Sequence, residues 1–232
     1  MVIEFLYNEL TLYGENQNLK YFELLFPEAK IVKTKYYDTP YFVNNKVDIL
    51  YIGPMEESWL QKVYSKLFPY RKRLIDLIED GIYFFIFNSA MDIFGKDLEI
   101  KNPINKKETN YTLGIFDYHT IRDYDNRKSK IVKYSYEGEI IIGVNAGFSN
   151  YYGNEDNYIY ESLVDGQGFN KDTRLGGYRY KNTFISELVA LPLISNPYLA
   201  KKLSIKFNGH DNIPLEKEME DMYNLYLTFV EV

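Results

Sequence analysis

Apolar and polar positions alternate in blocks along the first half of the chain. Three apolar or alternating segments have the length of strands: residues 2–7, 31–37 and 47–52. Two segments carry apolar residues at helical spacing: residues 19–26, followed by Pro27, and residues 56–80. Strands and helices in this order imply right-handed crossovers. They predict an α/β fold with a doubly wound, mostly parallel sheet flanked by helices.

The second half has a different pattern, in which short strand-like segments follow one another. These segments are residues 111–118, 129–136, 139–144, 158–163 and 179–189. Glu137-Gly138 lies between two alternating runs and indicates a β-hairpin. Residues 196–207 and 214–229 return to helical spacing. No change of composition marks a boundary, so we expect a single domain over residues 1–232 with a β-rich second half.

Residues 81–95 carry the most specific signal in the chain. They predict a buried strand, a sharp turn and a helix, which is the geometry of a nucleophile elbow. Asn88 falls at the tip of the turn, and an amide is not a nucleophile at neutral pH. A shift of one residue would place Ser89 there instead. We favour Asn88, because close packing two residues later needs a small side chain, which Ala90 supplies and Met91 does not.

Composition narrows the chemistry further. The 232 residues include no cysteine and only two histidines, His119 and His210, so a Cys nucleophile is excluded and His-based catalysis has few possible arrangements. A formal net charge of -6 argues against nucleic acid as the main partner. No apolar run reaches the roughly 20 residues of a membrane span, so we expect a cytoplasmic protein, and nothing calls for a cofactor or a metal. The 24 tyrosines reflect either an AT-rich genome or a Tyr-rich binding surface.

Several short motifs follow one another along most of the chain. They are Leu12-Tyr13-Gly14-Glu15-Asn16-Gln17-Asn18, Asp48-Ile49-Leu50-Tyr51-Ile52-Gly53-Pro54, Phe87-Asn88-Ser89-Ala90-Met91-Asp92-Ile93-Phe94-Gly95, Leu113-Gly114-Ile115-Phe116-Asp117, Tyr180-Lys181-Asn182 and Asn196-Pro197. In this order they resemble the class I glutamine amidotransferase-like family related to cobyric acid synthase. The branch they match best is the glutaminase subunit of lipid II isoglutaminyl synthase.

The resemblance implies a chemistry for which the catalytic groups are missing here. Members of this family are expected to hydrolyse glutamine with a cysteine thiolate activated by a histidine, and to pass ammonia to a partner synthetase. The nucleophile position falls on Asn88. The histidine position falls on Val189, or on Ala190 if Pro192 is matched to the family's proline. None of these side chains can attack a carbonyl or move a proton.

Two further positions depart from the family pattern. The turn that would supply oxyanion donors contains Pro54, which has no backbone N–H, although Gly53 keeps one donor. Asp92 stands where the family has glutamine, and a carboxylate there changes the charge of any pocket at the elbow.

Three hypotheses remain open at this point. The first is a catalytically degenerate amidotransferase-like protein that serves as a binding or scaffold subunit for a Mur-ligase-like synthetase in peptidoglycan synthesis. Its candidate binding residues are Gly53, Asn88, Ser89 and Asp92. The second is a diverged hydrolase or amidotransferase that uses Ser89 as nucleophile or Asp92 to activate water. The third is a sensor that binds a small ligand in the remaining pocket.

Overall fold

The computed structural model describes residues 1–102, 110–189 and 193–229. Thirteen strands and five α-helices form within these ranges. In chain order they are β1 (Val2–Leu6), α1 (Asn16–Leu25), β2 (Lys30–Thr34), β3 (Ile49–Ile52), α2 (Glu57–Leu67), α3 (Arg71–Glu79), β4 (Tyr83–Phe87), β5 (Asp97–Lys101), β6 (Tyr118–Asp123), β7 (Lys128–Tyr136), β8 (Glu139–Gly147), β9 (Ser149–Gly153), β10 (Tyr158–Ser162), β11 (Leu175–Tyr180), β12 (Thr183–Ser186), β13 (Leu188–Val189), α4 (Pro197–Asn208) and α5 (Glu216–Phe229).

The strands form two sheets. Ten of them make one large sheet in the order β13-β8-β7-β10-β11-β12-β4-β3-β1-β2, and the other three make a small sheet in the order β5-β6-β9. In the large sheet, the adjacent strands β12, β4, β3, β1 and β2 are all parallel to one another. The described helices are all too short or too polar to traverse a bilayer.

Helices cover both faces of the parallel part of the large sheet. In β3, Leu50 and Ile52 belong to the apolar cluster that contains the buried residues of α2 and α3. Ile49 and Tyr51 point the other way and belong to the cluster that contains α1 and α4. This alternation is the period of two that a strand imposes on its side chains. The α/β class, the flanking helices and the strand-rich second half are therefore confirmed.

The other half of the large sheet is antiparallel, so the sheet is mixed rather than mostly parallel. From β12 to β13 every neighbouring pair runs in opposite directions. The cause is the loss of crossover helices after β4, because strands joined by short turns must pair antiparallel. The predicted hairpin turn joins β7 to β8, and Glu137 and Gly138 have φ values of 53° and 88° there.

The predicted helix over residues 56–80 is interrupted. A short 3₁₀ segment, Phe68–Tyr70, separates α2 from α3, and it contains Pro69, which cannot donate a helical hydrogen bond. The helix expected after the elbow is also a 3₁₀ helix, Asn88–Ile93, and not an α-helix. The turn is therefore followed by fewer than two turns of helix before the chain enters β5.

Two predicted strands differ from those in the structure. Residues 111–117 are irregular, because Gly114 has a φ of 56° and Arg71 donates to its carbonyl oxygen at 2.8 Å, and β6 begins only at Tyr118. Residues 179–189 contain a turn at Lys181, which has a φ of 52°, so they divide among β11, β12 and β13. The assignment of the whole chain to one domain stays a prediction.

Candidate functional site

The turn that follows β4 has the backbone of an elbow. Asn88 is the first residue after the strand, with a φ of 48°, in the left-handed region that most side chains avoid. Asparagine tolerates this region better than other residues that carry a Cβ. The elbow tip therefore lies at Asn88 in the structure, in the register that the sequence favours, and Ser89 is the next residue into the 3₁₀ helix.

The side chain of Asn88 is tied to two other strands. Its Nδ2 donates to the carbonyl oxygen of Ala146, at the end of β8, and to that of Glu187, just before β13, both at 2.7 Å. The Tyr151 hydroxyl donates to the Asn88 carbonyl at 3.2 Å. With only 6% of the residue exposed, both amide protons are used internally. Asn88 therefore joins the parallel half of the sheet to its antiparallel half.

Ser89 makes two hydrogen bonds to one residue of the loop that follows β3. Its Oγ donates to the carbonyl oxygen of Met55 at 2.7 Å and accepts the Met55 backbone N–H at 2.9 Å. The hydroxyl proton is therefore already donated to a carbonyl and no base accepts it. The same contact occupies the N–H that follows Pro54, which would otherwise be the next possible oxyanion donor in this loop.

The loop after β3 is held from its other side by the first sequence motif. The Leu12 N–H donates to the Pro54 carbonyl at 2.9 Å, and Thr11 forms an isolated β-bridge with Met55. A Cβ placed on Gly53 would lie 3.0 Å from Thr11 Cγ2. The backbone near Gly53 is thus in close contact with protein atoms on the side where a side chain would project.

Asp92 lies at the centre of a buried ion-pair cluster. Arg122 donates to Asp92 Oδ2 from Nη2 at 2.8 Å and from Nε at 3.1 Å, Ser149 Oγ donates at 2.7 Å, and the Tyr151 hydroxyl donates to Oδ1 at 3.0 Å. Asp92 is 0% exposed and Arg122 is 2% exposed. Burial alone would lower the pKa of Arg122, but the charge of Asp92 raises it above its ordinary value.

The resemblance assigns the catalytic histidine to the position of Val189, which lies in β13. Val189 is buried in β13 and pairs with Val144 of β8, two residues after the Glu187 carbonyl that Asn88 contacts. Ala190 and Pro192 lie outside the described residues. Val189 carries no group that could transfer a proton.

The two histidines of the sequence have other contacts. The His119 ring contacts the Asp97 carboxylate, its partner on the neighbouring strand of the small sheet. His210 follows α4, and its Nδ1 lies 3.4 Å from Ser204 Oγ. Within the described residues, neither ring hydrogen-bonds to Asn88 or Ser89, and no group of three His, Asp or Glu side chains could hold a metal ion.

The cavity at the elbow is almost filled by side chains. Its volume is about 10 Å³, and its walls include Asn88, Ser89, Lys128, Ser149 and Glu187. A cavity needs roughly this much volume to hold a single water molecule. A glutamine side chain does not fit in this space as the structure stands.

Glu187 and Lys128, beside the elbow, were not singled out from the sequence. Glu187 is 1% exposed and accepts hydrogen bonds from the hydroxyls of Tyr134 at 2.8 Å and Tyr160 at 3.0 Å. Burial raises the pKa of Glu187, although these hydrogen bonds act in the opposite direction. Burial lowers the pKa of Lys128 to about 8, and the charges of Glu187 and Asp92 limit this fall. In the sequence, the only signal for a role of Lys128 is the alternation of polar residues along β7.

The remaining motifs of the resemblance make structural contacts around the site. Within the first motif, Asn18 Nδ2 donates to Glu15 at 2.7 Å and to the Tyr51 hydroxyl at 2.9 Å, in a buried cluster under β3. Asn196 occupies the N-cap position of α4, and its side-chain amide pairs with both backbone groups of Ile142 in β8, each at 2.7 Å. Asn18 therefore links α1 to β3, and Asn196 links the start of α4 to β8.

Comparison with known proteins supports the fold. No protein-family profile and no curated protein matches the chain. Among solved structures, a glutamine amidotransferase is similar with a TM-score of 0.61 and 15% identity, over 90% of this chain and 100% of that one. A glutamine amidotransferase from Thermotoga maritima is similar with a TM-score of 0.52 and 8% identity, over 97% and 89% of the two chains. The chain has a glutamine amidotransferase-like fold.

Proposed function

We propose that this protein is a catalytically inactive relative of the glutamine amidotransferases that acts as a binding or scaffold subunit. One observation carries the proposal. The chain forms the elbow turn, but the side-chain amide of Asn88 at its tip donates both protons to backbone carbonyls, and the cavity beside it has a volume of only about 10 Å³. By the resemblance to the isoglutaminyl synthase branch, the partner is a Mur-ligase-like synthetase of peptidoglycan precursor synthesis, which works in the cytoplasm.

Glutamine hydrolysis requires a nucleophile, a base and oxyanion donors around a bound amide. At the elbow, the nucleophile position holds an amide and the histidine position Val189 holds an aliphatic side chain. The Met55 N–H is bound to Ser89. The residues at these positions have structural contacts instead: Asn88 and Met55 form hydrogen bonds, and Val189 is buried. Restoring one group alone would therefore not restore the reaction.

The alternative, a diverged hydrolase, would need Ser89 or Asp92 to reach a substrate. Ser89 would have to break both hydrogen bonds to Met55. Asp92 would have to leave Arg122 in a region where neither side chain reaches solvent. A carboxylate that is fully buried and accepts four hydrogen bonds is a poor base for water. These contacts therefore favour a catalytically inactive protein over a hydrolase.

A glutaminase assay tests whether the protein is catalytically inactive. We expect no ammonia release from glutamine by the pure protein, alone or with a Mur-ligase-like synthetase, and no labelling of Ser89 by a fluorophosphonate probe. An Asn88→Cys variant is expected to stay inactive as well, because the histidine position holds Val189, which cannot accept a proton. Ammonia release or probe labelling that is lost in Ser89→Ala or Asp92→Asn would establish the hydrolase instead.

A binding measurement tests the partner. Tyrosine is favoured at protein interfaces, and Tyr37 is the most exposed large hydrophobic residue of the described part of the chain, at 86%. We expect calorimetry to detect a complex with a Mur-ligase-like synthetase, weakened in Tyr37→Ser. Failure to bind any synthetase of that class would rule out this partner, while the glutaminase result would stand independently.

A further inference from the structure

A second and much larger cavity lies beside the elbow, between the two sheets. Its volume is about 430 Å³. One wall is formed by β7 and β8 of the large sheet, and the other by β6 and β9 of the small sheet with the end of β5. The segment 166–171, between β10 and β11, borders it as well. We call this cavity the inter-sheet cleft; its volume is in the range of small-molecule binding sites.

The inter-sheet cleft is cationic although the chain as a whole is acidic. Among the described residues, four lysines and one carboxylate line it: Lys101, Lys128, Lys130, Lys171 and Asp123. The Asp123 carboxylate already accepts hydrogen bonds from Asn126 Nδ2 at 2.8 Å and from the backbone N–H of Asp125 at 3.1 Å. Within the described residues, neither Lys130 nor Lys171 has a carboxylate oxygen within the 4.0 Å of an ion pair. The net charge of the lining favours an anion.

Lys128 connects the cleft to the elbow, because it lines both cavities. Its Nζ lies 3.3 Å from Asn150 Oδ1, a neutral acceptor. Burial lowers the pKa of Lys128 to about 8, so the side chain is still largely protonated at neutral pH. A half-buried ammonium group that is hydrogen-bonded to a neutral amide oxygen is stabilised by an anion that enters the cleft. Lys128, Lys130 and Val132 alternate along β7 and therefore share the face that borders the cleft.

Neutral amides complete the lining. They come from Asn126, Asn145, Asn150, Gln167 and Asn170. Asn145 is the cross-strand neighbour of Lys130, which places an amide directly beside a cation. Gln167 has a buried side-chain oxygen without a hydrogen-bond partner in the described part of the chain. Lysines are suited to phosphate as point charges, and amides are suited to hydroxyl groups, which both donate and accept.

We propose that the inter-sheet cleft binds a small organic phosphate that also carries hydroxyl groups, of the chemical class of the sugar phosphates. The lysines hold the phosphate, and the amides hold the hydroxyls. The site is separate from any chemistry at the elbow, so it stands or falls independently of the proposed function.

Calorimetric titration tests this proposal with defined probes. The probes are glucose 6-phosphate, glucose 1-phosphate and ribose 5-phosphate, with glucose and inorganic phosphate as controls. We expect at least one sugar phosphate to bind more tightly than both controls and to raise the melting temperature. In Lys130→Gln/Lys171→Gln, whose two positions are exposed and so tolerate substitution, the affinity is expected to fall by about tenfold or more.

A charge-matched variant separates site binding from general attraction. Lys20→Gln/Lys217→Gln removes two exposed lysines that do not line the cleft, and it is expected to leave the affinity unchanged. An equal loss in this control would overturn the proposal. Binding of inorganic phosphate as tight as that of every sugar phosphate would overturn it too, and so would a lack of binding by all three probes.

Discussion

The elbow cavity and the inter-sheet cleft share Lys128 and Asn145 in their walls, yet the polar groups of the two regions are engaged in opposite ways. At the elbow, Asn88, Ser89 and Asp92 all bind other protein groups, and a cavity of about 10 Å³ remains. In the cleft, lysines and amides surround about 430 Å³, and within the described residues Lys130 and Lys171 have no carboxylate partner and the Gln167 side-chain oxygen has no hydrogen bond. Buried polar groups that are mutually satisfied stabilise a fold, whereas polar groups around an open volume are available to a ligand. The difference indicates a structural role for the polar groups of the elbow, and it makes the cleft the better candidate for a ligand site.

The largest expected effect comes from breaking the ion pair at the elbow. Arg122→Met leaves the Asp92 carboxylate buried without its cation, and the free energy of unfolding should fall by about 3–5 kcal/mol. Urea denaturation measures the change. Lys33→Met, which removes an exposed ion pair with Glu23, serves as the control and should cost less than about 1 kcal/mol. Equal costs for the two variants would mean that the Asp92 cluster is not structural.

The next effect concerns the tip of the elbow. Asn88→Ala leaves the buried carbonyls of Ala146 and Glu187 without their donor and puts alanine at a φ of 48°, so we expect a loss of about 2–4 kcal/mol. Asn88→Gly removes the same hydrogen bonds without the φ strain, so it should be less destabilising than Asn88→Ala. A neutral Asn88→Ala would show that the amide is not a structural link between the two halves of the sheet.

A smaller loss is expected at Ser89. Ser89→Ala leaves both backbone groups of Met55 without their side-chain partner, and it should cost about 1–2 kcal/mol in thermal or urea unfolding. Ser65→Ala removes a hydroxyl that bonds to the Gln61 carbonyl on an exposed helix face, and should change stability by less than about 0.5 kcal/mol. If Ser89 instead served catalysis, its removal would be neutral or stabilising.

The smallest effect is a pH dependence that belongs to the cleft. Lys128 has a pKa of about 8 in the folded protein against 10.5 unfolded, so the unfolded chain binds more protons between these values and stability rises with pH through this window. Glu187 and Asp92 face Lys128, and their charges act on its pKa in the direction opposite to burial. Lys128→Met should remove this rise, as measured by urea denaturation at pH 7, 8 and 9. Parallel pH profiles for the variant and the native protein would contradict the assignment.

Local features of the sequence were enough for most strands and for the elbow. Residues 47–52 and 83–87 are apolar and short, and Asn88 follows directly with a residue type that tolerates positive φ, so the strand and turn were predictable. The antiparallel half was only partly predictable. Its strands were identified, but their pairing depends on which turns are short enough to reverse the chain, and the turn at Lys181 was not recognised.

The amino-acid sequence by itself determined the α/β class, the position of the elbow and the absence of a cysteine nucleophile, because these depend on residue types and short-range spacing. The tertiary structure alone decided what surrounds the elbow and where the cleft lies. Asp92 and Arg122 form an ion pair although they are 30 residues apart in the sequence. The lysines of the cleft lie as far apart in the sequence as Lys101 and Lys171. Such contacts follow from how two sheets pack, and no local pattern specifies them.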